Sequence, residues 1–300
     1  MPTRNPHSPF VHSRIRRVGL RFLALAILMW TSAANAQEGY TWSTIDPPGS
    51  IRTEATAITP NGYIAGRYNA PDGTRHGFAL INGTYATIDP PGSTFTNSNG
   101  INPRGEMSGN YFDADGRQHA FLLSAGVFTT VDVPGALRTG GSKVNAEGTL
   151  VGAFVAADGK RRGYVFSHGN FEVIDAPNAL QTVVDDINPR GEVVIAYVTT
   201  DSKTHCLLYR GGAFTLLDVP GAIETGCPGI NADGQTVGWY RDPAGRIHGY
   251  LRSDAGITTL DVPGSTLTIA FGINPQGQIV GFYNDTAGRR HGFVAVPNGR

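Results

Sequence analysis

Histidine, a residue type that binds metal ions or transfers protons, recurs along this chain at steps of 43 residues or twice that. The column consists of His76, His119, His205, His248 and His291. Arg162 occupies the position where the third copy would fall. Because each histidine belongs to a different repeat, the five side chains cannot converge on one ion. We therefore predict that the column is structural and that none of its members is catalytic.

Aspartate and threonine recur with the same step of 43 residues. The aspartates, which open turns such as TIDPPGS (44–50), are Asp46, Asp89, Asp132, Asp175, Asp218 and Asp261. The threonines are Thr53, Thr96, Thr139, Thr182, Thr225 and Thr268. We predict one Asp–His–Thr hydrogen-bond set per repeat, with Arg162 replacing histidine once, because buried polar groups must satisfy each other. Aspartate also suits a cap on the Pro-Gly turn, which again favours a structural role.

The repeats differ most in the stretch after the threonine, which would face the axis if the repeats form a ring. The candidate ligand contacts in this stretch are Glu54, Asn97, Asn99, Lys143, Asp185 and Asp186. Asp185 and Asp186 with Glu54 offer the oxygen ligands that Ca²⁺ prefers, and a solvated channel mouth is the alternative. Trp239 differs from its equivalents in other repeats and is a candidate for stacking on a sugar. No cofactor is predicted, with Ca²⁺ as the alternative.

The chain has two cysteines, Cys206 and Cys227, each at a position where other repeats carry a small residue. In an oxidising compartment such a pair can form a disulfide that closes a 21-residue step. Two buried, inert thiols are the alternative, because the two strands that carry them sit at different distances from the axis.

Each period of 43 residues contains four short β-rich runs and three tight turns. Repeated four-stranded units of this length are typical of β-propeller blades. We predict an all-β, six-bladed β-propeller of six 43-residue repeats that forms a single domain over residues 37–300. A linear β-solenoid is the alternative, but its coils are usually shorter and it needs atypical capping repeats, which this sequence lacks.

The two ends of the repeat region are complementary. A lone strand at residues 41–46 precedes the first complete repeat, and the last repeat stops before its fourth strand. We predict that residues 41–46 complete the C-terminal blade and close the ring, which leaves no sheet edge open.

The first 36 residues have the features of a signal peptide. Four arginines between positions 14 and 21 precede the apolar run FLALAILMW (22–30), and Ala34-Asn35-Ala36 suits a cleavage site. We expect cleavage near Ala36/Gln37 and a periplasmic or extracellular location. The Sec route is favoured over the twin-arginine route, because Gly19 replaces a large apolar residue of that signal.

Charge and hydropathy exclude two classes of partner. Residues 1–36 carry five arginines and no acidic residue, so 19 basic and 24 acidic residues remain in 37–300. This acidic balance argues against a nucleic-acid partner. No apolar run after residue 36 is long enough to span a membrane. We expect a monomer.

The histidine motif also indicates a family. His119-Ala120-Phe121 and its relatives such as His76-Gly77-Phe78, with GIN-x-x-G ahead and Asp-x-Pro-Gly behind, resemble the HAF-repeat (HAF/HGF) family of extracellular repeat proteins. The resemblance covers residues 41–296 and implies export and a repeat β-fold, but no established reaction, substrate or cofactor. The fourth repeat departs from the motif, because THCLLY (204–209) lacks the small residue and the aromatic.

These features favour an exported binding or interaction module whose ligand is a protein, a glycan or a small molecule. A metal-dependent hydrolase resembling the lactonase-type propellers is the first alternative. A surface or matrix structural component is the second. Whether the protein is an enzyme stays open, with a non-catalytic role favoured.

Overall fold

The structure is a computed structural model that describes residues 36–37 and 39–299, all of which fall in one compact unit, Ser32–Arg300. Every helix or strand assigned in this part of the chain is a β-strand. The predicted signal peptide lies outside the described residues except for Ala36. The described segments contain no helix long and apolar enough to cross a membrane.

The strands follow one another with the period seen in the sequence. Two short N-terminal strands come first, β1 (Ala36–Gln37) and β2 (Tyr40–Ile45). The first three groups are β3 (Arg52–Ile58), β4 (Ile64–Asn69), β5 (Arg75–Ile81), β6 (Thr84–Ile88); β7 (Phe95–Ile101), β8 (Met107–Phe112), β9 (Gln118–Ser124), β10 (Val127–Thr130); and β11 (Arg138–Val144), β12 (Leu150–Val155), β13 (Arg161–Ser167), β14 (Asn170–Ile174). The last three are β15 (Gln181–Ile187), β16 (Val193–Val198), β17 (Thr204–Arg210), β18 (Ala213–Leu216); β19 (Glu224–Ile230), β20 (Thr236–Arg241), β21 (Ile247–Ser253), β22 (Gly256–Leu260); and β23 (Leu267–Ile273), β24 (Ile279–Asn284), β25 (Arg290–Pro297).

Within each group the strands pair antiparallel in chain order, as tight turns require. The described strands form five hydrogen-bonded sheets rather than six. The difference from the predicted count arises because one parallel residue pair, Arg161 with Gln181, joins β13 to β15 and merges the third and fourth groups.

The groups are arranged around a common axis. The first strand of each group contacts the first strand of the next, and β23 contacts β3. The N-terminal strand β2 pairs antiparallel with β25, from Tyr40 opposite Pro297 to Ile45 opposite Gly292. The observed strand begins one residue before the predicted 41–46 segment. The architecture is therefore all-β and propeller-like.

Hydrophobic clusters join neighbouring groups. One cluster combines Val237 of β20 with Phe293 of β25 and Trp42 of β2, all of which are buried. Another combines Val151 of β12 with Ile195 of β16. Because each cluster draws on adjacent groups, burial of apolar surface holds the groups side by side.

A bulge interrupts the first strand of every group. The register of β3 on β4 shifts between Ala55 and Ala57, and the other five first strands shift at the equivalent place. A β-bulge leaves a residue out of the ladder and changes the direction of its side chain. The six bulges therefore give each first strand one residue aimed differently from its neighbours.

The second strand carries a glycine opposite the aromatic of the HAF-type motif in five groups. A Cβ added at Gly109 would overlap the Asn97 carbonyl oxygen and lie 2.9 Å from the Phe121 ring. In the fourth group Ile195 stands opposite Leu207 at the same place. The larger second-strand residue occupies the space that the aromatic fills elsewhere, which explains why the fourth repeat lacks the motif.

Candidate functional site

Each histidine of the column forms a hydrogen bond with an aspartate, and each of these pairs is separate from the others. The imidazole Nδ1 lies 2.6–2.7 Å from an aspartate Oδ2 in five pairs: His76–Asp89, His119–Asp132, His205–Asp218, His248–Asp261 and His291–Asp46. In the third repeat Lys160 Nζ donates to Asp175 at 2.8 Å, and Arg162 Nε lies 3.5 Å from the same carboxylate. These contacts link the third strand to the turn after the fourth strand.

The threonines contact the turns rather than the histidines. Thr139 Oγ1 accepts a hydrogen bond from the Val133 N–H at 3.1 Å, and Thr182, Thr225 and Thr268 accept equivalent bonds from their turns. Thr53 and Thr96 contact Ser50 and Ser93 instead. Only Thr182 also donates to its aspartate, Asp175, at 3.1 Å. The predicted three-membered set is thus an Asp–His pair beside a separate threonine clamp, because the threonine is buried under the turn.

His119 shows the electrostatics of such a tie most clearly. Its Nε2 lies 3.0 Å from Asp113 Oδ2, and its ring stacks on Tyr111 with centroids 5.2 Å apart. Burial lowers the pKa of His119, but hydrogen bonds to Asp113 and Asp132 outweigh it and raise the pKa. The imidazole is engaged on both nitrogens and packed on one face, which suits a structural role.

A cavity of about 280 Å³ lies where the six first strands meet. Every first strand contributes at least one lining residue that falls in its bulge: Thr56, Asn99, Ser142, Asp185, Pro228 and Phe271. We call it the axial cavity. The bulges therefore position six non-equivalent side chains around one space.

Second and third strands add polar donors to the axial cavity. Arg67, Asn110, Gln118 and Arg161 line it as well. Asn99 Nδ2 donates to Asn110 Oδ1 at 3.2 Å, and Arg67 Nη1 donates to Asn99 Oδ1 at 3.0 Å. Guanidinium, amide and hydroxyl groups thus share the cavity with the Phe271 ring.

Lys143 separates the axial cavity from a second one. Its Nζ donates to the carbonyl oxygen of Phe271 at 3.1 Å, 128 residues away in sequence, and lies 3.9 Å from Asp186 Oδ2. Lys143 lines both cavities, and the second, of about 130 Å³, is formed by the ends of the six first strands and the turns that follow them. Burial lowers the pKa of Lys143, while Asp186 and Asp185 oppose this shift.

The two adjacent aspartates face different spaces. Asp185 lines the axial cavity, whereas Asp186 lines the second cavity and accepts hydrogen bonds from the N–H groups of Ile230 and Ile187 at 3.0 and 2.8 Å. Burial raises the pKa of Asp185 to about 7, although Arg161 and Lys143 lower it by their charge. Asp185 is the titratable carboxyl group of the axial cavity.

Glu54 is buried within a set of arginines beside the axial cavity. Its carboxylate lies 2.5 Å from Arg67, 2.5 Å from Arg290, 3.3 Å from Arg75 and 3.5 Å from Arg52. Burial raises the pKa of Glu54, but the charges of Arg67, Arg75 and Arg290 outweigh it and lower the pKa to about 2. We call these five residues the Glu54 cluster.

The structure does not bring Asp185, Asp186 and Glu54 together as a calcium site. Asp185 and Asp186 point into different cavities, and the partners of Glu54 are cations. The described part of the chain contains no group of three or more His, Cys, Asp or Glu side chains placed to hold a metal ion. The predicted calcium ligands therefore differ in location, because consecutive side chains of a strand point to opposite faces and Glu54 is held by its arginine partners.

Two further candidates, Asn97 and Trp239, lie away from the axial cavity lining. Asn97 Oδ1 is buried without a hydrogen-bond partner. Trp239 is half-buried, with its indole lying over Gly226 on the adjacent strand. Of the predicted contacts, the axial cavity brings together Asn99, Lys143 and Asp185.

Cys206 and Cys227 form a disulfide between β17 and β19, with their Cα atoms 5.8 Å apart. Both are fully buried. The bridge connects the fourth and fifth groups of strands through covalent bonds as well as packing.

Sequence reasoning missed most of the cationic and amide lining. Arg67, Gln118, Arg161 and Phe271 had not been singled out, although each stands in a column that varies from repeat to repeat. The available signal was this variation in the second and third strands, read at the same step of 43 residues. It identifies the side chains that differ but not the space they share.

Fold and site together define an all-β, propeller-like protein with a polar cavity at its axis. No family model matches the sequence, and no curated protein matches it. Solved structures do match the fold. SapL1 lectin in complex with alpha methyl fucoside is 12% identical and covers 83% of this chain and 96% of its own, with a TM-score of 0.54.

Two more solved structures are similar in the same way. AofleA from Arthrobotrys oligospora is 12% identical over 82% of this chain and 84% of its own, with a TM-score of 0.52. The fucose-specific lectin from Aleuria aurantia is 10% identical over 83% of this chain and 97% of its own, with a TM-score of 0.50. At these identities the similarity shows the fold alone.

Proposed function

We propose that the chain is a six-bladed propeller closed by β2, in which β2 with β23–β25 forms the sixth blade. A repeated hydrogen bond supports the closure. Asn188 Nδ2 donates to the Asn231 carbonyl at 3.2 Å, and Asn231 Nδ2 donates to the Asn274 carbonyl at 3.3 Å. Asn274 Nδ2 in turn donates to the carbonyl of Thr59 in the first repeat at 3.1 Å. The same contact thus passes from the last repeat to the first.

We also propose that the protein is an exported member of the HAF-repeat family, periplasmic or extracellular after cleavage near Ala36/Gln37. The repeated His-Ala-Phe and His-Gly-Phe tripeptides and the basic, then apolar N-terminal segment support this proposal. A disulfide between Cys206 and Cys227 is compatible with an oxidising compartment.

We propose that the protein binds a saccharide in the axial cavity. The observation that carries this proposal is the composition of the cavity. Six non-equivalent bulge residues and the side chains of Arg67, Asn110, Gln118 and Arg161 combine donors, acceptors and the Phe271 ring. A sugar presents hydroxyl groups for hydrogen bonds and C–H faces for an aromatic ring, so this mixture suits it. A volume of about 280 Å³ is just below the roughly 300–1,000 Å³ that is usual for small-ligand sites.

SapL1 lectin in complex with alpha methyl fucoside and the fucose-specific lectin from Aleuria aurantia share the general fold, which agrees with this proposal. The fold similarity does not by itself assign fucose to this chain. What supports saccharide binding here is the lining of its own cavity.

The proposal is tested by a glycan screen of the mature protein, followed by calorimetry on the glycans that bind. N-terminal sequencing of that protein should show that it begins at Gln37. Gln118→Ala removes a lining amide, and we expect binding to weaken about two- to tenfold, the value of one or two neutral hydrogen bonds. Gln276→Ala removes the same amide from an exposed turn outside both cavities and serves as the control.

An unchanged affinity in Gln118→Ala would place the saccharide outside the axial cavity. Absence of binding to every glycan in the screen would exclude the proposed function. Equal melting temperatures of the two variants ensure that the comparison reports on binding rather than on folding.

A further inference from the structure

Positive charge is concentrated around the axial cavity in a part of the chain that is acidic overall. Six cationic side chains line the cavity or belong to the adjoining Glu54 cluster: Arg52, Arg67, Arg75, Lys143, Arg161 and Arg290. Only three carboxyl groups accompany them: Glu54, Asp185 and Asp186. Residues 37–300 as a whole carry 19 basic and 24 acidic residues, so composition does not account for this excess.

The Glu54 cluster leaves positive charge without a partner. A single carboxylate faces four guanidinium groups, and the Nε of Arg75 is buried without a hydrogen-bond partner. Burial, followed by repulsion from Arg67, lowers the pKa of Arg75 to about 10. Crowded cations cost free energy that a bound anion would offset.

Arg161 is the cation of the axial cavity most accessible to a ligand. Its side chain is exposed to the solvent of the cavity, and no carboxylate of the described residues lies within 4.0 Å of its guanidinium. Burial lowers the pKa of Arg161, and the charge of Asp185 opposes this shift. Burial also raises the pKa of Asp185 to about 7, so Asp185 is a weaker counter-charge than an ordinary carboxylate. Arg161 thus faces the cavity with little compensation.

A groove of about 220 Å³ extends the positive region to the rim. It lies between the last and first repeats and is lined by Arg52, Arg289 and Arg290, with Asp46 bonded to His291 at its wall. Arg289 Nε donates to Asp285 at 3.1 Å, and because this ion pair is exposed it contributes little to stability. Arg290 and Arg67 both contact Glu54, so the groove, the Glu54 cluster and the axial cavity adjoin each other.

We infer that the ligand of the axial cavity is an acidic saccharide, whose carboxylate or sulfate groups bind Arg161 and the arginines of the adjoining groove. This inference rests on the proposed saccharide binding and names its class. Arginine suits both anions, because its planar guanidinium donates two parallel hydrogen bonds to a carboxylate or sulfate. A neutral sugar would leave the excess of guanidinium groups unmatched.

The test is a panel of matched glycan pairs that differ only in charge. Oligogalacturonates are paired with their methyl esters, and sulfated galactan oligomers with their desulfated forms. We expect an acidic member to bind at least about tenfold more tightly than its neutral counterpart, and to bind more weakly as salt increases from 0.05 to about 0.5 M. The two arms distinguish carboxylate from sulfate.

Two variants and one control locate the anionic contact. Arg161→Gln and Arg52→Gln should each weaken binding of the acidic member about tenfold, the effect of one charge-assisted hydrogen bond, and should weaken binding of its neutral counterpart by a clearly smaller factor. Arg246→Gln removes an exposed arginine from a turn of the fifth repeat that lines none of these spaces and should change nothing.

Equal binding within every pair, or equal loss of acidic and neutral ligands in Arg161→Gln, would overturn the inference and leave saccharide binding intact. If no glycan of either kind binds, the proposed function fails and this inference fails with it. Melting temperatures of all variants are measured to exclude misfolding as the cause.

Discussion

At the scale of single residues, side chains that recur from repeat to repeat and side chains that occur in one repeat have different roles. His205 and Asp218 form the same 2.6 Å tie as their equivalents elsewhere in the chain. Lys143 and Glu54 have no equivalent in other repeats, and each makes contacts that no other repeat offers. Lys143 lines the axial cavity, and Glu54 bonds Arg67, which lines it too.

Glu54 leads to a prediction about acid stability. The pKa of Glu54 in the folded protein, about 2, lies below the ordinary value of 4.5. Its contribution to the free energy of unfolding is therefore present above about pH 5 and is lost as pH falls towards 2. We expect Glu54→Gln to lower the free energy of unfolding at pH 7 by roughly 3 kcal/mol. The difference from wild type should shrink as pH falls from 5 to 2.

Urea unfolding at pH 7, 5 and 3 measures this difference. Glu147→Gln, the same change at an exposed site without an ion pair, is the control and should alter stability by less than about 0.5 kcal/mol. A Glu54→Gln deficit that stays constant across the pH range would show that ionisation of Glu54 is not its source.

At the scale of the strand, one feature is common to all six groups and one is peculiar to the fourth. The bulge of each first strand directs one residue, such as Asp185 or Phe271, into the axial cavity. In the fourth group the second strand carries Ile195 where the other groups have a glycine, and the third strand carries Leu207 where they have an aromatic residue. Both features act through direct strand-to-strand contact.

Because Ile195 and Leu207 fill one space, we expect their substitutions to have non-additive effects on the free energy of unfolding. Leu207→Phe alone should overfill the space beside Ile195 and cost about 1–3 kcal/mol. Ile195→Gly alone should cost more, about 3–5 kcal/mol, because it leaves a cavity and a flexible strand residue. The double variant recreates the arrangement of Gly109 with Phe121, so we expect it to be more stable than the sum of the single changes by about 1–3 kcal/mol.

A double-mutant cycle from urea unfolding measures this coupling. Leu216→Phe, at an exposed leucine of the adjacent strand, should be almost neutral and controls for the added ring. Additive single effects would mean that Ile195 and Leu207 do not share one space.

At the scale of the whole molecule, β2 holds the two ends of the chain together. It pairs with β25, its buried Trp42 lies 5.1 Å from the Phe293 ring, and Asp46 bonds His291 at 2.7 Å. These contacts connect residues about 250 positions apart, and they are the basis of the proposed closed ring.

Removal of β2 tests the closure. A protein that lacks residues 37–47 should melt well below the mature chain, because β25 loses its partner and Phe293 loses its cover. A synthetic peptide of residues 37–47, added in excess, should restore the melting temperature by pairing with β25, and a scrambled peptide should not. A truncated protein that melts like the mature chain would contradict the closed ring.

Much of the fold could be predicted from the sequence, but less of the site. The spacing of Asp132 and His119 indicated the strand lengths and a structural pair, since both depend on neighbouring strands of one repeat. The grouping of Asp185, Asp186 and Glu54 was not predicted correctly, because the partners of Glu54 come from other strands and from the last repeat, which the pattern of one strand does not reveal. Arg161 and Gln118 were missed because their role depends on the first strands of other repeats.

The sequence by itself determined the period, the number and order of strands and the turns, because these follow from local preferences of Asn, Pro, Gly and alternating apolar residues. Only the tertiary structure decided which variable residues meet. Lys143 reaches the carbonyl of Phe271 128 residues away, and Arg290 reaches Glu54 across 236 residues. Such contacts require the arrangement of all the first strands around one axis, which no single repeat encodes.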